Sequence, residues 1–130
     1  MNQIANEKLT KIFREIEASG AFGEKPITSV DSKRLGGDTP LHIVSVWGNS
    51  DYIDCLLKNG SNINLQGEEG YTALMYAVEQ GNIDAVRILI SNKAEDLLNN
   101  HGDSAMDLAA FTENESILSI LRTNGYRMTF

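Results

Sequence analysis

The side chains best suited to catalysis or metal binding are few in this 130-residue sequence, which has two histidines, His42 and His101, and one cysteine, Cys55. A structural zinc site needs several histidine or cysteine ligands at short spacings. Neither histidine has a cysteine or a second histidine at such a spacing. Cys55 adjoins the apolar Leu56, which is typical of a small core residue and not of an activated nucleophile. We therefore predict no metal site and no bound cofactor.

The remaining polar motifs also lack the pattern of a catalytic site. The glycine-rich segment 35–38 has neither the lysine nor the spacing of a phosphate-binding loop. Asp51, Asp54 and Asp84 fit helix starts and solvated charges. We predict no catalytic residues and a non-enzymatic protein. The alternative, an enzyme with an unrecognised site at His101 or Cys55, predicts a deep polar pocket beside one of them.

A phrase of six residues occurs three times, and its first glycines lie 33 and then 32 residues apart. The copies are Gly37-Asp-Thr-Pro-Leu-His42, Gly70-Tyr-Thr-Ala-Leu-Met75 and Gly102-Asp-Ser-Ala-Met-Asp107. The same offsets relate Val44, Ala77 and Ala109, and then Leu56, Leu89 and Leu121. A period of this length is typical of stacked repeats, whose usual product is a binding surface.

The Thr39-Pro40-Leu41-His42 phrase and the period of about 33 residues match the signature of ankyrin repeats. The sequence therefore resembles the ankyrin-repeat family over roughly residues 34–125. The resemblance implies an all-α ankyrin-repeat solenoid of about three helix–turn–helix repeats. It also implies that His42 hydrogen-bonds between the turns of adjacent repeats.

We expect a single domain over residues 1–130. It comprises an N-terminal capping helix and loop (1–33), repeat 1 (34–66), repeat 2 (67–98), and repeat 3 with the C-terminal cap (99–130). The capping helix is predicted from apolar residues at helical spacing, namely Ile4, Leu9, Ile12, Phe13 and Ile16. Residues 21–36 read as an irregular loop that is either ordered by packing or functional.

Local signals place the ends of the paired helices. Thr39 and Pro40 are suited to begin a first helix, Gly48 to end it, and Ser50 or Asp51 to cap the second helix. Lys93 and Glu113 stand where the other repeats carry a helix-ending glycine. A positive φ at Lys93 would cost about 1 kcal/mol.

The charge balance restricts the class of partner. Eighteen acidic residues against eleven basic ones give a net charge of −7. This disfavours nucleic acid and anionic membrane as partners and allows a basic protein. The first seven residues lack the layout of a signal peptide, no apolar run approaches a membrane span, and a single cysteine fits a reducing compartment. We expect a cytoplasmic protein that is monomeric on its own.

The resemblance also implies where a protein partner would bind, namely at the loop tips before each phrase and at the ends of the first helices. Carried over to this sequence, the predicted partner-binding residues are Asp38, Val46, Trp47, Glu68, Glu69, Tyr71, Glu79, Gln80, His101, Asp103 and Phe111. Trp47, Tyr71 and Phe111 would form an aromatic band in an acidic rim, which is typical of an interaction hot spot. The alternative for Trp47 and Phe111 is burial beneath the terminal caps.

These features predict a protein–protein interaction module. The Trp47-Gly48-Asn49 ending of the first helix and the acidic concave face resemble those of bacterial immunity proteins. That resemblance implies binding and occlusion of a cognate toxin, which the acidic charge suggests is a basic domain. The alternative is a scaffold or regulatory subunit that holds a host enzyme or transcription factor without blocking it.

Overall fold

The computed structural model describes residues 3–130, with side chains from residue 7 onward, so the predicted packing of Ile4 lies outside the described side chains. Within this range there are seven α-helices and no strand, which confirms the all-α prediction. The helices are α1 (Gln3–Ala18), α2 (Pro40–Trp47), α3 (Ser50–Lys58), α4 (Ala73–Glu79), α5 (Ile83–Ser91), α6 (Ala105–Phe111) and α7 (Glu115–Thr123). None of them is long and apolar enough to cross a membrane.

The helices stack as antiparallel pairs in two layers. The inner helices α2, α4 and α6 pack against one another in that order, and the outer helices α3, α5 and α7 do the same behind them. Each inner helix also packs on the outer helix that follows it. A helix pair of this kind cannot bury its apolar face alone, so the core is continuous from one pair to the next.

At several equivalent positions the core contains one apolar residue from each repeat. Two such sets are fully buried, Val44, Ala77 and Ala109 on the inner helices and Leu56, Leu89 and Leu121 on the outer helices. The small alanines allow the inner helices to approach closely, while the leucines fill the space between the layers. The periodicity in the sequence is therefore the periodicity of the core.

Helix α1 covers the end of the stack beside α2 and α3, as predicted for a capping helix. Ile12 and Ile16 are fully buried. The hydroxyl of Tyr52 donates a hydrogen bond to Glu15 at 2.7 Å. These contacts fasten α1 to α3 through both apolar packing and a polar bond.

The loop between α1 and α2 is ordered by packing, since Phe22 and Ile27 lie in the core. It also follows the repeat pattern at one point, where the Asp31 side chain accepts a hydrogen bond from a backbone N–H one repeat further on. The same bond recurs twice along the stack, and the three acceptor–donor pairs are Asp31 with Asn62 (3.1 Å), Asn64 with Glu95 (2.9 Å) and Asp96 with Arg127 (3.0 Å). The loop therefore ends as an incomplete repeat.

The helix ends confirm most of the local signals. Thr39 is the N-cap of α2, Pro40 is its first residue, and Gly48 ends it with φ of 72°. A Cβ atom on Gly48 would lie 2.6 Å from the side chain of Asn82, so the close approach also requires glycine. The prediction that Ser50 or Asp51 caps α3 is wrong, because the Asn49 side chain accepts the bond from the backbone of the first turn.

Within residues 3–130, three residues other than glycine have a positive φ, and each stands where another repeat carries glycine. Lys93 (64°) corresponds to Gly60 and Glu113 (56°) to Gly48, as the sequence indicated. Glu69 (53°) corresponds to Gly36, which the sequence analysis missed. The stack thus imposes the same left-handed backbone on residues that disfavour it.

Candidate protein-binding face

Three turns project from the stack, at residues 34–38, 67–71 and 99–103, and are called tips 1, 2 and 3. Each is closed by a hydrogen bond from the backbone N–H of its first residue to the carbonyl of its last. The pairs are Arg34 with Asp38 (2.8 Å), Gly67 with Tyr71 (2.7 Å) and Asn99 with Asp103 (3.0 Å). The three tips therefore share the same closing bond, and residues at equivalent positions can be compared directly.

Neighbouring tips are bonded to each other, which sets them in a row. The backbone N–H of Glu68 in tip 2 donates to the Asp38 carboxylate of tip 1 at 2.9 Å. The N–H of Asn100 in tip 3 donates to the carbonyl of Glu69 at 2.9 Å. The row of tips and the adjoining inner helices form the face on which the predicted partner-binding residues were placed.

Asp38 was predicted to bind a partner, but its side chain is buried, with 1% of its surface exposed. Its carboxylate accepts hydrogen bonds from Arg34 Nη2 at 2.6 Å and from the hydroxyl of Tyr76 at 3.0 Å. With the bond from Glu68, this carboxylate joins tip 1, tip 2 and helix α4. Asp38 therefore holds the tips together and offers nothing to a partner.

Tyr71 lies in the middle of the face and is more buried than its position at a loop tip suggested. Its ring packs on that of Tyr76, with centroids 5.0 Å apart and a tilt of 34°. Its hydroxyl donates to Glu79 at 2.8 Å. Burial, the bond to Glu79 and the charges of Glu79, Asp103 and Glu69 raise the pKa of Tyr71 to about 12. The Tyr71 ring is therefore held in place, partly exposed, among the carboxylates of Glu79, Asp103 and Glu69.

Trp47 and Phe111 are exposed at 41% and 60%, so neither is buried beneath a cap. Trp47 ends α2 and Phe111 ends α6, with α4 packed between these helices. The Phe111 ring stacks on that of Phe130, at 6.5 Å between centroids and 15° between planes. Phe130, itself 80% exposed, was missed because it lies outside the repeat pattern. Whether these rings contact a partner stays a prediction.

The polar residues of the face are mostly acidic and accessible. Glu68, Glu69, Glu79, Gln80 and His101 are exposed, and Val46 and Asp103 are partly exposed. Arg34 Nη2 lies 3.3 Å from Glu68, and His101 Nε2 lies 3.0 Å from Glu69. The carboxylates of Glu79 and Asp103 form no salt bridge with any basic side chain from residue 7 onward. Part of the negative charge of the face therefore has no internal counter-ion among the side chains described.

His42 connects the tips through both ring nitrogens. Nδ1 accepts a hydrogen bond from the backbone N–H of Thr39 at 2.9 Å, so the proton is on Nε2. Nε2 then donates to the carbonyls of Leu65 at 2.9 Å and Tyr71 at 3.1 Å. Burial lowers the pKa of His42 and favours this neutral form. The ring has the bridging role that the family resemblance implied.

The other residues considered for chemistry lie apart from one another. Cys55 is buried, and burial raises the pKa of its thiol, which disfavours the nucleophilic thiolate. His101 is exposed at tip 3, bonded to Glu69. Among the side chains described, no group of three or more histidine, cysteine, aspartate or glutamate residues could hold a metal ion. A groove at the C-terminal ends of α5 and α7, lined by Ile90, Asp96 and Tyr126 among others, includes neither Cys55 nor His101.

The model of the ankyrin-repeat family, in three copies, matches residues 22–98 and 41–129, and the chain belongs to that family. It is 34% identical to mouse protein phosphatase 1 regulatory subunit 27 over 95 residues, 72% of this chain and 62% of that protein. It is 37% identical to the human Notch-regulated ankyrin repeat-containing protein over 81 residues, 58% of this chain and 71% of that protein.

A longer relative is human Rabankyrin-5, 36% identical over 73 residues, or 56% of this chain. The match spans 6% of the length of that protein, so it concerns the repeats and not the whole molecule. Ankyrin repeats mediate protein–protein interaction. The fold and the relatives thus support the general role as a protein-binding module.

Proposed function

We propose that this chain is a non-catalytic module that binds a protein partner through the row of tips and the C-terminal ends of α2, α4 and α6. The observation that carries this proposal is the exposure of Trp47 and Phe111 on this face, at 41% and 60%. Large exposed aromatic side chains within a charged rim are typical of residues that dominate binding energy at an interface. The core of the stack does not require either ring.

The finer hypothesis is that binding occludes the functional surface of a basic partner, as an immunity protein blocks its toxin. Its support is electrostatic: the chain carries a net charge of −7, and Glu79 and Asp103 lack internal counter-ions. Such a face attracts a positively charged protein over long range and then covers the region to which it binds. Glu68, Glu69 and Glu79 would oppose lysines or arginines of the partner.

The second candidate is a regulatory subunit that holds an enzyme without abolishing its activity. The observation that favours it is the 34% identity to mouse protein phosphatase 1 regulatory subunit 27. Both candidates use the same face and differ in what binding does to the partner.

Affinity capture followed by reconstitution from purified proteins tests the module. The wild type is compared with a Trp47→Ala/Phe111→Ala variant, and Ile83→Ala, an exposed apolar residue at the start of the outer helix α5, is the matched control. We expect a one-to-one complex with wild type and control, and affinity reduced at least about tenfold in the double variant. Equal affinity of all three proteins for the partner would refute the proposed face.

The effect on the partner separates the two candidates. If the partner arrests growth when expressed alone and the chain relieves that arrest, occlusion of a toxin is supported. An enzyme that keeps its turnover in the complex, with changed substrate preference or location, supports the regulatory subunit. Circular dichroism of each variant establishes that the altered binding does not come from unfolding.

A further inference from the structure

The structure contains one guanidinium group already bound between carboxylates on the row of tips. Arg34 Nη2 lies 2.6 Å from the Asp38 carboxylate and 3.3 Å from that of Glu68. The Tyr76 hydroxyl bonds the same Asp38 carboxylate at 3.0 Å. At the contact of tips 1 and 2, the guanidinium, two carboxylates and a tyrosine hydroxyl thus bond to one another.

At the contact of tips 2 and 3, Gly67 and Tyr71 of tip 2 stand where Arg34 and Asp38 stand at the contact of tips 1 and 2. Tip 3 carries its own aspartate and an asparagine at these two positions. Asp103 corresponds to Asp38, since both accept the bond that closes their tip. The position of Arg34 is taken by the uncharged Asn99. Tyr71 lies among Asp103, Glu79 and Glu69, whose charges all act on its hydroxyl. Asp103 and Glu79 therefore lie beside Tyr71 without a salt-bridge partner among the side chains described, while Glu69 is bonded to His101.

An exposed apolar surface adjoins these carboxylates. Phe111 on α6 occupies the position that Glu79 occupies on α4, and the two helices pack together. Packed helices have axes about 8–10 Å apart. Phe111 and Phe130 stack and are exposed at 60% and 80%. An acidic region and an apolar region therefore lie side by side, at a separation that a few residues of one peptide segment span.

We propose that this surface docks a basic segment of a protein partner, with an arginine placed against Asp103, Glu79 and Tyr71 and an apolar side chain against Phe111 and Phe130. This inference rests on the proposed function and specifies the chemistry of the partner. The unpaired carboxylates complement a positive charge. A planar guanidinium bonds a carboxylate through two N–H groups and stacks on a tyrosine ring, which the ammonium of lysine does less well.

Labelled peptides test the proposal directly. The probe alternates arginine, glycine and leucine, and its counterpart has lysine at every arginine position. Binding to the full chain is measured by fluorescence anisotropy at physiological salt. We expect tighter binding of the arginine peptide. Asp103→Asn, Glu79→Gln and Phe111→Ala should each weaken it by about three- to tenfold.

The matched controls are Asp84→Asn and Glu115→Gln, which remove the same charge from the outer helices α5 and α7. They should leave the affinity unchanged within twofold, in keeping with screening over about 8 Å at physiological salt. Equal weakening by controls and site variants would show general attraction to an acidic protein and overturn the proposal. Sedimentation velocity reveals whether a second copy of the chain occupies the face instead, which would also overturn it.

The captured partner distinguishes this inference from the proposed function. A partner lost from Trp47→Ala/Phe111→Ala but bound normally by Asp103→Asn/Glu79→Gln would leave the module in place and refute the arginine site. If arginine-peptide binding needs Asp103 and Phe111, but the captured partner binds the Trp47→Ala/Phe111→Ala variant as tightly as the wild type, the peptide site would stand and the proposed face for that partner would be refuted.

Discussion

The carboxylate of Asp107 accepts two hydrogen bonds from Thr129, one from the backbone N–H at 3.1 Å and one from the hydroxyl at 2.6 Å. His42 has the corresponding place on the first inner helix, where it donates to the carbonyl of Leu65. The last inner helix thus uses an acceptor where the first uses a donor. In both cases a buried polar side chain fastens the segment that follows the outer helix.

Replacement of Asp107 by asparagine should lower the free energy of unfolding by about 1–3 kcal/mol. The amide offers one acceptor and places an NH₂ group among donors from Ser104 and Thr129. Chemical denaturation at neutral pH measures the loss. Glu24→Gln, at an exposed position in the loop before α2, is the control and should change stability by less than about 0.5 kcal/mol.

The Asp107→Asn variant should also change how the free energy of unfolding depends on pH in the acid range. Burial alone would raise the pKa of Asp107, but hydrogen bonds from Ser104 and Thr129 outweigh it and lower the pKa. The stabilisation is therefore complete above the unfolded value of 3.8 and is lost as pH falls through the folded pKa. As pH falls below about 3.8, the wild type should therefore lose more stability than the variant. Parallel curves would contradict this assignment.

The two histidines should titrate on opposite sides of 6.5, the ordinary pKa of the side chain. Burial lowers the pKa of His42, whereas the hydrogen bond to Glu69 raises that of His101. Imidazole proton shifts followed by NMR give both values, and Glu69→Gln should lower the pKa of His101 alone. The reverse order of the two titrations would rule out the hydrogen bonds described for the two rings.

The directions of the two pKa shifts determine how each histidine makes stability depend on pH. His42 must be neutral in the folded chain, so its contribution is complete above 6.5 and is lost as pH falls through its folded pKa. His101 contributes below 6.5, and its contribution is lost as pH rises through its raised pKa. Because His101 is exposed, mild acid should destabilise the protein mainly through His42.

Lys93→Gly and Glu113→Gly should each stabilise the fold by about 0.5–1 kcal/mol. Both residues have a positive φ, and relief of that strain exceeds the entropy that glycine adds to the unfolded chain. Thermal denaturation of the single variants measures the gain. Ser119→Gly, an exposed position within α7, is the control and should destabilise by about the same amount. A loss of stability in all three variants would mean that the left-handed backbone carries little strain.

Asp38→Ala should lower the free energy of unfolding by about 2–4 kcal/mol, because the Tyr76 hydroxyl and the backbone N–H of Glu68 lose their acceptor and Arg34 loses its shorter salt bridge. Asp103→Ala changes the equivalent position of tip 3, whose carboxylate accepts no hydrogen bond from the side chains described. It should cost less than about 0.5 kcal/mol. Urea denaturation of the pair compares them directly, and equal losses would show that Asp38 is not the anchor of the tips.

Much of the fold was predictable because the core repeats with the sequence. Equivalent apolar residues are buried, and Lys93 and Glu113 adopt the backbone of the glycines they replace. The environment of an individual tip residue was not predictable. Asp38 and Asp103 are identical in type and register, but only Asp38 contacts an arginine in its own tip and a tyrosine on the inner helix of the next repeat. Periodicity identifies equivalent positions, whereas these contacts depend on what the neighbouring repeat carries.

Because identical backbone bonds close the three tips, the residues exposed at a tip can vary without changing the bond that closes it. The bonds join backbone atoms of residues 34 and 38, 67 and 71, and 99 and 103, and they place no requirement on the side chain of the second residue in each tip. Leu35 is almost wholly exposed, and Glu68 and Asn100 stand at its place in the other tips. Such positions can change type without altering the scaffold. Exchange of these residues among the tips should therefore redirect binding while the chain folds as before, so that the protein can acquire a new partner through few substitutions.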